Sequence, residues 1–335
     1  MDDRIIIHET ISIMLAPIIL FVYNRPEHTK KTVDALKKNE FASESVLYVF
    51  SDGAKEDATE EQKNKIREIR NYIHTITGFK ELIIEEAPKN KGLANSVIYG
   101  VTKVINKHGK AIVVEDDIVT HPFFLRFMNE CLDKYEDRRD IFMIGGYNMA
   151  FKFPWWYWKD IYVVHRSCSW GWATWKSRWD LADWSVSDYS IMCQDINLQN
   201  KFNRGGNDMF PMLTAQMNGK IDSWAIRWDY CLYKNNAVCL RPTKTLVHNY
   251  GMDGTGIHCG IGELNTAPEY NRRTYTIKLP QNIKVHTSIE KAFAKTYTPS
   301  SVHQHLPLSW WLRHWLDTMG LYTLFRKAKH LIIKE

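Results

Sequence analysis

The stretch that most limits what this chain can become is Ala111-Ile112-Val113-Val114, followed at once by Glu115-Asp116-Asp117. Four uncharged residues, three of them branched, suit a strand buried on both faces, and Thr120-His121-Pro122 then supplies an N-cap and an early-helix proline. The acids therefore belong at a strand's carboxyl end. In open α/β sheets that edge takes the ligand, and carboxylates packed this closely repel unless a cation or hydrogen-bond donors compensate. Oxygen-only ligation favours Mg²⁺ or Mn²⁺, which keep coordination positions for substrate phosphates. The residues alone also admit an acidic helix-entry turn in water, where anionic groups are welcome near a helix N-terminus.

Strands alternating with helical patterns surround this centre. Residues 18–23 read as a strand and 26–38 as a helix with Val33 and Leu36 inward. A second strand spans 46–50. Ser51-Asp52-Gly53 then turns the chain, and Asp57 with Glu60 marks a helix entry running to about Ile73. Residues 82–84 form a third strand, and Asn90-Lys91-Gly92 opens a helix through Ile105 that delivers the chain to the central strand. This order predicts a mainly parallel, helix-covered sheet. Neither G-x-G-x-x-G nor G-x-x-x-x-G-K occurs, so dinucleotide and P-loop binding are unsupported.

At 335 residues, 44% hydrophobic and 24% charged, the chain can bury a large core. Its net charge of +6 is spread out, with no dense basic block or zinc-finger signature, which argues against nucleic acid. Six cysteines show no C-x-x-C pair and read as reduced thiols of a cytoplasmic protein. No run reaches the length of a membrane span. Met14, just ahead of the first clear strand, is a candidate start.

Tryptophan is the unusual residue. Eight of the 13 fall between Trp155 and Trp184. Trp172, Trp175 and Trp179, at i, i+3 and i+7, predict one packed helix face, while Trp170 and Trp172 flank Gly171, where an indole edge can meet a sugar ring. Downstream, Asp222 and Asp229 sit among aromatics that can raise a carboxylate's pKa towards general-base use; a helix-start Asp222 and a salt-bridged Asp229 are the plainer readings. Short strands at 238–240 and 246–247 lead to His248 and a glycine-rich segment, residues 251–262, with the composition of a mobile lid.

Residues 18–25, Asp52, Lys91-Gly92 and especially Val113-Val114-Glu115-Asp116-Asp117 with Pro122-Phe123-Phe124-Leu125 resemble nucleotide-sugar-dependent glycosyltransferases of the GT-A fold. The chain is similar to family 2-type bacterial enzymes and, more distantly, to the Golgi N-acetylglucosaminyltransferases of family 13, over residues 17–258. The resemblance implies a Rossmann-like, mixed but mainly parallel sheet: an extension at 1–16, a catalytic domain at 17–262 and a C-terminal helical appendage at 263–335. It implies that Asp117 binds Mn²⁺ or Mg²⁺, with His248 as a second metal ligand borrowed from GT-A enzymes in general. Asp116 and Glu115 support the ribose and the metal's water shell. Arg25 and Asp52 hold the base, and Lys91 lies near the uridine or phosphates. Gly171-Trp172 lines the donor-sugar pocket, and Trp228-Asp229 carries the catalytic base. The spacing from Asp229 to Arg241-Pro242 departs from family 13 by a few residues, so Asp222 stays a rival.

The implied reaction moves a sugar, with inversion, from a nucleotide donor such as UDP-sugar to a glycan or lipid-linked saccharide, as in bacterial surface polysaccharide synthesis. In the tail, Leu308, Trp311, Leu312, Trp315, Leu316 and Met319 form one helical face with Arg326, Lys327 and Lys329 beyond. Such a helix suits an anionic membrane surface at residues 308–330, on the inner face of the membrane, or docking on the catalytic domain. A sugar-phosphate nucleotidyltransferase would usually carry a basic glycine-rich loop near its first strand, which Tyr23-Asn24-Arg25-Pro26 is not. A non-catalytic carbohydrate-binding protein accounts for the tryptophans but leaves the acids unexplained.

Overall fold

The computed structural model describes residues 14–251, 253 and 266–297. The chain runs β1 (Ile18–Val22), α1 (Pro26–Lys37), β2 (Val46–Ser51), α2 (Glu60–Ile73), β3 (Glu81–Glu86), α3 (Leu93–His108), β4 (Lys110–Glu115), β5 (Ile118–Thr120), α4 (Phe124–Lys134) and β6 (Ile141–Gly145). It continues through β7 (Ile161–Val164), β8 (Trp172–Trp175), the short α5 (Lys176–Trp179), α6 (Tyr189–Gln194), α7 (Ile196–Phe202), α8 (Met209–Met217) and α9 (Trp224–Lys234). β9 (Val238–Pro242), β10 (Val247–Asn249) and α10 (Thr287–Lys295) complete it.

Eight strands form one mixed sheet in the order β3-β2-β1-β4-β8-β6-β9-β7. The pairings send six strands one way and oppose them with β7 and β8. The expected Rossmann-like, mainly parallel architecture is what this chain adopts. β1 and β4 are wholly apolar at their centres and lie side by side at full burial, as strands covered on both faces must. From β1 the chain steps outward to β3, then returns through α3 to β4 on β1's other side. That reversal opens a crevice at the carboxyl ends of β1 and β4, the place where such sheets bind ligands.

Local chemistry fixes the entries. Pro26 starts α1, where its missing N–H costs nothing. α2 begins two residues later than the entry expected from Asp57 and Glu60: Thr59 and Gln62 form the reciprocal capping box, Gln62 N donating to Thr59 Oγ1 and Thr59 N to Gln62 Oε1. Thr120 is not a helix cap. It lies in β5, pairs antiparallel with β10, and its hydroxyl accepts from Asn39 Nδ2 at 2.8 Å. Asn39 Oδ1 in turn caps α4 by accepting from Leu125 N at 3.0 Å.

The helix face expected from Trp172, Trp175 and Trp179 is absent. Ala173 pairs with Ile112 on one side and Ile144 on the other, so Trp172 and Trp175 belong to a central strand, and tertiary pairing overrides the i, i+3 spacing. In a strand these two indoles take opposite faces. Trp172 stacks on Trp224 at 4.7 Å and Trp179 at 5.8 Å, while Trp175 donates to Leu132 O on α4.

The described part of the C-terminal segment packs on the sheet. Tyr270, Ile277 and Ile283 join the main core, and Ile289 and Phe293 of α10 cover Tyr162 and Val164 of β7. Residues 1–13, most of the proposed lid, Cys259 and the amphipathic stretch 308–330 lie outside the described residues. The other five cysteines are free thiols. Among the described residues no helix is long and apolar enough to cross a membrane.

Candidate active site

Among the described residues, the crevice between β1 and β4 sets Arg25 against Glu115, Asp116 and Asp117. Arg25, three residues past β1, turns its Nη2 onto Asp116 Oδ1 and, at 2.9 Å, onto Asp117 Oδ2. The backbone anchors both acids: Thr32 Oγ1 donates to Asp116 O, and Tyr250 N to Asp117 O at 2.9 Å. Asp116 and Asp117 are only 4% and 6% exposed, which makes their charge expensive. Glu115 is pushed up to about 8 by burial and by Asp117 and Asp116 beside it, against the pull of Arg25 and the Trp224 side chain. Burial raises Asp116 to about 6 even though Arg25 opposes it.

Three carboxylates thus share one guanidinium, and two atoms are left over. Asp117 Oδ1 and Arg25 Nη1 are buried without a hydrogen-bond partner. A buried carboxylate oxygen in that state loses the hydration it had in water and calls for a donor or a cation. Among the described residues no three His, Cys, Asp or Glu side chains gather as a ready-made metal cage. The donor set therefore fits a hard divalent ion held through a single carboxylate oxygen, its other positions going to water and phosphate oxygens.

Gly251 closes over this pair. A side-chain carbon there would stand 2.1 Å from Asp117 Oδ2 and 2.9 Å from Arg25 Nη1, so only glycine lets the backbone come so near. His248 sits on β10 opposite Val119, two residues past Asp117. Its Nδ1 lies 2.7 Å from Glu269 Oε1 and its ring contacts Tyr250.

The other expected residues divide into those at this rim and those below it. Asp52 is spent on loop geometry, accepting from Gly53 N, Lys91 N and Asn90 Nδ2 and so tying the end of β2 to the entry of α3. Lys91 Nζ lies 3.6 Å from the Tyr99 ring centre. Asp222, just before α9, accepts from Ala94 N at 3.2 Å and so caps α3 from across the chain. Gly92, at φ +80°, leaves room for it: a side-chain carbon there would come within 2.9 Å of Asp222 Oδ2. Asp222 thus stands at the carboxyl rim, two residues before the Trp224 that meets Glu115.

Asp229 lies five residues further down α9 than Trp224, about 7.5 Å along the axis. It is 5% exposed, accepts from Ser167 N at 2.5 Å, and is pushed up to about 6 by burial that outweighs nearby Arg166 and Arg241. Trp228 is fully buried in the indole cluster, 5.1 Å from Trp179. Trp172 is also fully buried. Gly171, at φ +58°, packs against Phe124 and Val247. Unmarked in the sequence are the Arg166–Asp208 fork at 2.7 and 2.8 Å and the partner of Arg241, whose guanidinium donates to Ser167 O. These pairs join residues 42 or more positions apart, without a motif to mark them.

No family model matches this chain, and no curated protein matches it. Among solved structures it is similar to Staphylococcus aureus TarS: for a chain of residues 1–349 the identity is 11% over 72% of this chain and 62% of that one, TM-score 0.41. Another TarS chain is covered over only 25% of its length, at 14% identity and TM-score 0.30. The mannosyltransferase PcManGT from Pyrobaculum calidifontis, in complex with GDP-Man and Mn²⁺, is 10% identical over 66% of this chain and 75% of that one, TM-score 0.34. UDP-glucose pyrophosphorylase complexed with UDP-glucose gives 12% over 68% and 90%, TM-score 0.35. Likenesses this distant carry no functional argument, which rests on the residues above.

Proposed function

We propose that this chain is a divalent-metal-dependent glycosyltransferase that moves a sugar from a nucleoside diphosphate donor, UDP in the first instance, to a saccharide or lipid-linked acceptor. The observation that carries this reading is Asp117 Oδ1: a buried, unpartnered carboxylate oxygen at the sheet's topological switch point, within an acid cluster that one arginine cannot neutralise. Asp117 holds Mn²⁺ or Mg²⁺. When bound, the cation offsets the charge that builds on the departing diphosphate. Arg25 holds the carboxylates of Asp116 and Asp117 in place, and Glu115 with Asp116 faces the ribose and the ion's water shell. Lys91 lies beside the N-terminus of α3, a partial positive charge that favours phosphate. The contact with Glu269 occupies only Nδ1 of His248, and we assign this residue the secondary role through Nε2.

For the base the geometry favours Asp222 over Asp229. Asp222 stands at the rim among the donor-facing residues, whereas Asp229 is held under the Ser167 backbone. In a single displacement the acceptor oxygen bonds to the anomeric carbon as the bond to the diphosphate breaks, and the acceptor's proton passes to Asp222. The result is inversion.

The test is a panel of nucleotide sugars with Mn²⁺ or chelator, following nucleotide release. Metal-dependent release of nucleoside diphosphate is expected. Release of sugar phosphate with consumption of pyrophosphate would instead make the chain a nucleotidyltransferase, and metal-independent binding without turnover would make it a binding protein.

A further inference from the structure

The loop between β6 and β7 leaves the same carboxyl edge of the sheet as the acids and holds indoles out into water. Trp155 is 96% exposed, Trp158 83% and Trp156 41%. This presentation is built. Tyr157 N donates to Pro154 O at 2.9 Å, closing a turn with Trp155 and Trp156 at its two central positions. Behind it Phe153 stacks on Tyr157 at 5.6 Å and 12°, the Tyr157 hydroxyl donates to Ile161 O, and His286 meets both Trp156 and Tyr157 edge-on. A rigid base therefore displays side chains that water disfavours.

Lysines outnumber acids around the turn. Lys152 and Lys284 are exposed, and Lys159 and Lys284 both act on His286. The neighbouring acid, Asp160, already accepts from Lys278 N at 2.8 Å. A sugar site needs a concave wall with polar groups converging on hydroxyls, and this turn is a projecting tip flanked by ammonium groups. Indoles settle at the boundary of a bilayer, and each lysine near an anionic surface adds to the attraction.

We propose that the 152–159 turn inserts Trp155 and Trp158 into the interface of an anionic membrane and so turns the acid-bearing edge of the sheet towards the bilayer. The binding stands on these residues alone. Its use, bringing the rim to a membrane-borne acceptor, rests on the transfer reading above.

The test is co-sedimentation of the full chain with phosphatidylcholine vesicles, with and without phosphatidylglycerol, at low and high salt. Wild type is expected to partition onto the anionic vesicles, less so at high salt, and the double variant Trp155→Ser with Trp158→Ser to partition about tenfold more weakly or less. Both side chains are exposed, so the fold survives the change. Equal partitioning of the two proteins would overturn the proposal, because residues 308–330 are intact in both. So would failure of wild type to bind. Nucleoside diphosphate binding without vesicles stays the same in the variant. Its absence in wild type would strike the transfer reading and leave the vesicle result standing.

Discussion

Around Arg166 and Arg241, two buried guanidiniums are set against Asp208 and Asp229; at the carboxyl rim one guanidinium, Arg25, is set against Glu115, Asp116 and Asp117. The first group balances in charge and makes a bidentate fork, a bond from a backbone N–H, bonds to carbonyls and contacts with the rings of Tyr297 and Phe293, leaving one guanidinium nitrogen, Arg241 Nε, without a partner among the described residues. The second group has two acids more than its cation can pair, and it leaves Asp117 Oδ1 unpartnered. Buried charge balanced in sign ties β7 to α9 and α10 through the Ser167 backbone and the Phe293 ring. Unpaired buried charge is a poor choice for stability and a good one for capturing a cation with its diphosphate.

Substitutions separate the two. The largest effect is expected from Asp222→Asn, which should lower turnover by about 10²- to 10⁴-fold with nucleoside diphosphate affinity retained, read by steady-state kinetics beside calorimetry. Asp229→Asn tests the same assignment from the other side, and loss of chemistry there with normal melting would return the base to Asp229. Next, Arg166→Ala should cost about 2–3 kcal/mol in denaturant unfolding, less than a fully buried pair because Asp208 is 25% exposed. Asp117→Asn should leave stability unchanged or raise it, since it removes repulsion. Equal destabilisation by both would erase the contrast.

Smaller effects sharpen it. Gly251→Ala places a methyl against Asp117 and Arg25 and should weaken Mn²⁺-dependent nucleotide binding about tenfold by calorimetry, roughly 1.4 kcal/mol. The pH dependence has a definite sign. Glu115 rises from 4.5 to about 8 and Asp116 from 3.8 to about 6 on folding, so the native metal-free protein holds more protons than the unfolded chain across that window. Their contribution is therefore fullest below about pH 4 and is lost as pH rises to about 8. Melting of the chelated protein across that range should show the decline, and Asp117→Asn should flatten it.

The sheet and its edge were legible because they are local. β1 and β4 announce themselves as apolar runs, and three acids ending one of them could hardly lie elsewhere than a strand's carboxyl end. Partnering was not legible. Trp172 to Trp175 carries a helical spacing and becomes a strand because β4 and β6 flank it, and β5 is three residues that exist only by pairing with β10. Asp222 and Asp229 look alike among aromatics in sequence. Only the fold puts one at the rim, capping α3, and the other beneath Ser167. Asp52 is a similar case, since its carboxylate is committed to Lys91, Gly53 and Asn90 by a loop closure that no spacing encodes.

The direct test of the central claim is calorimetric titration of UDP into wild type and Asp117→Asn, each with Mn²⁺ and with chelator. Binding confined to wild type with Mn²⁺ is the predicted result. Equal affinity in chelator, or an Asp117→Asn protein that binds UDP and Mn²⁺ as wild type does, would contradict it.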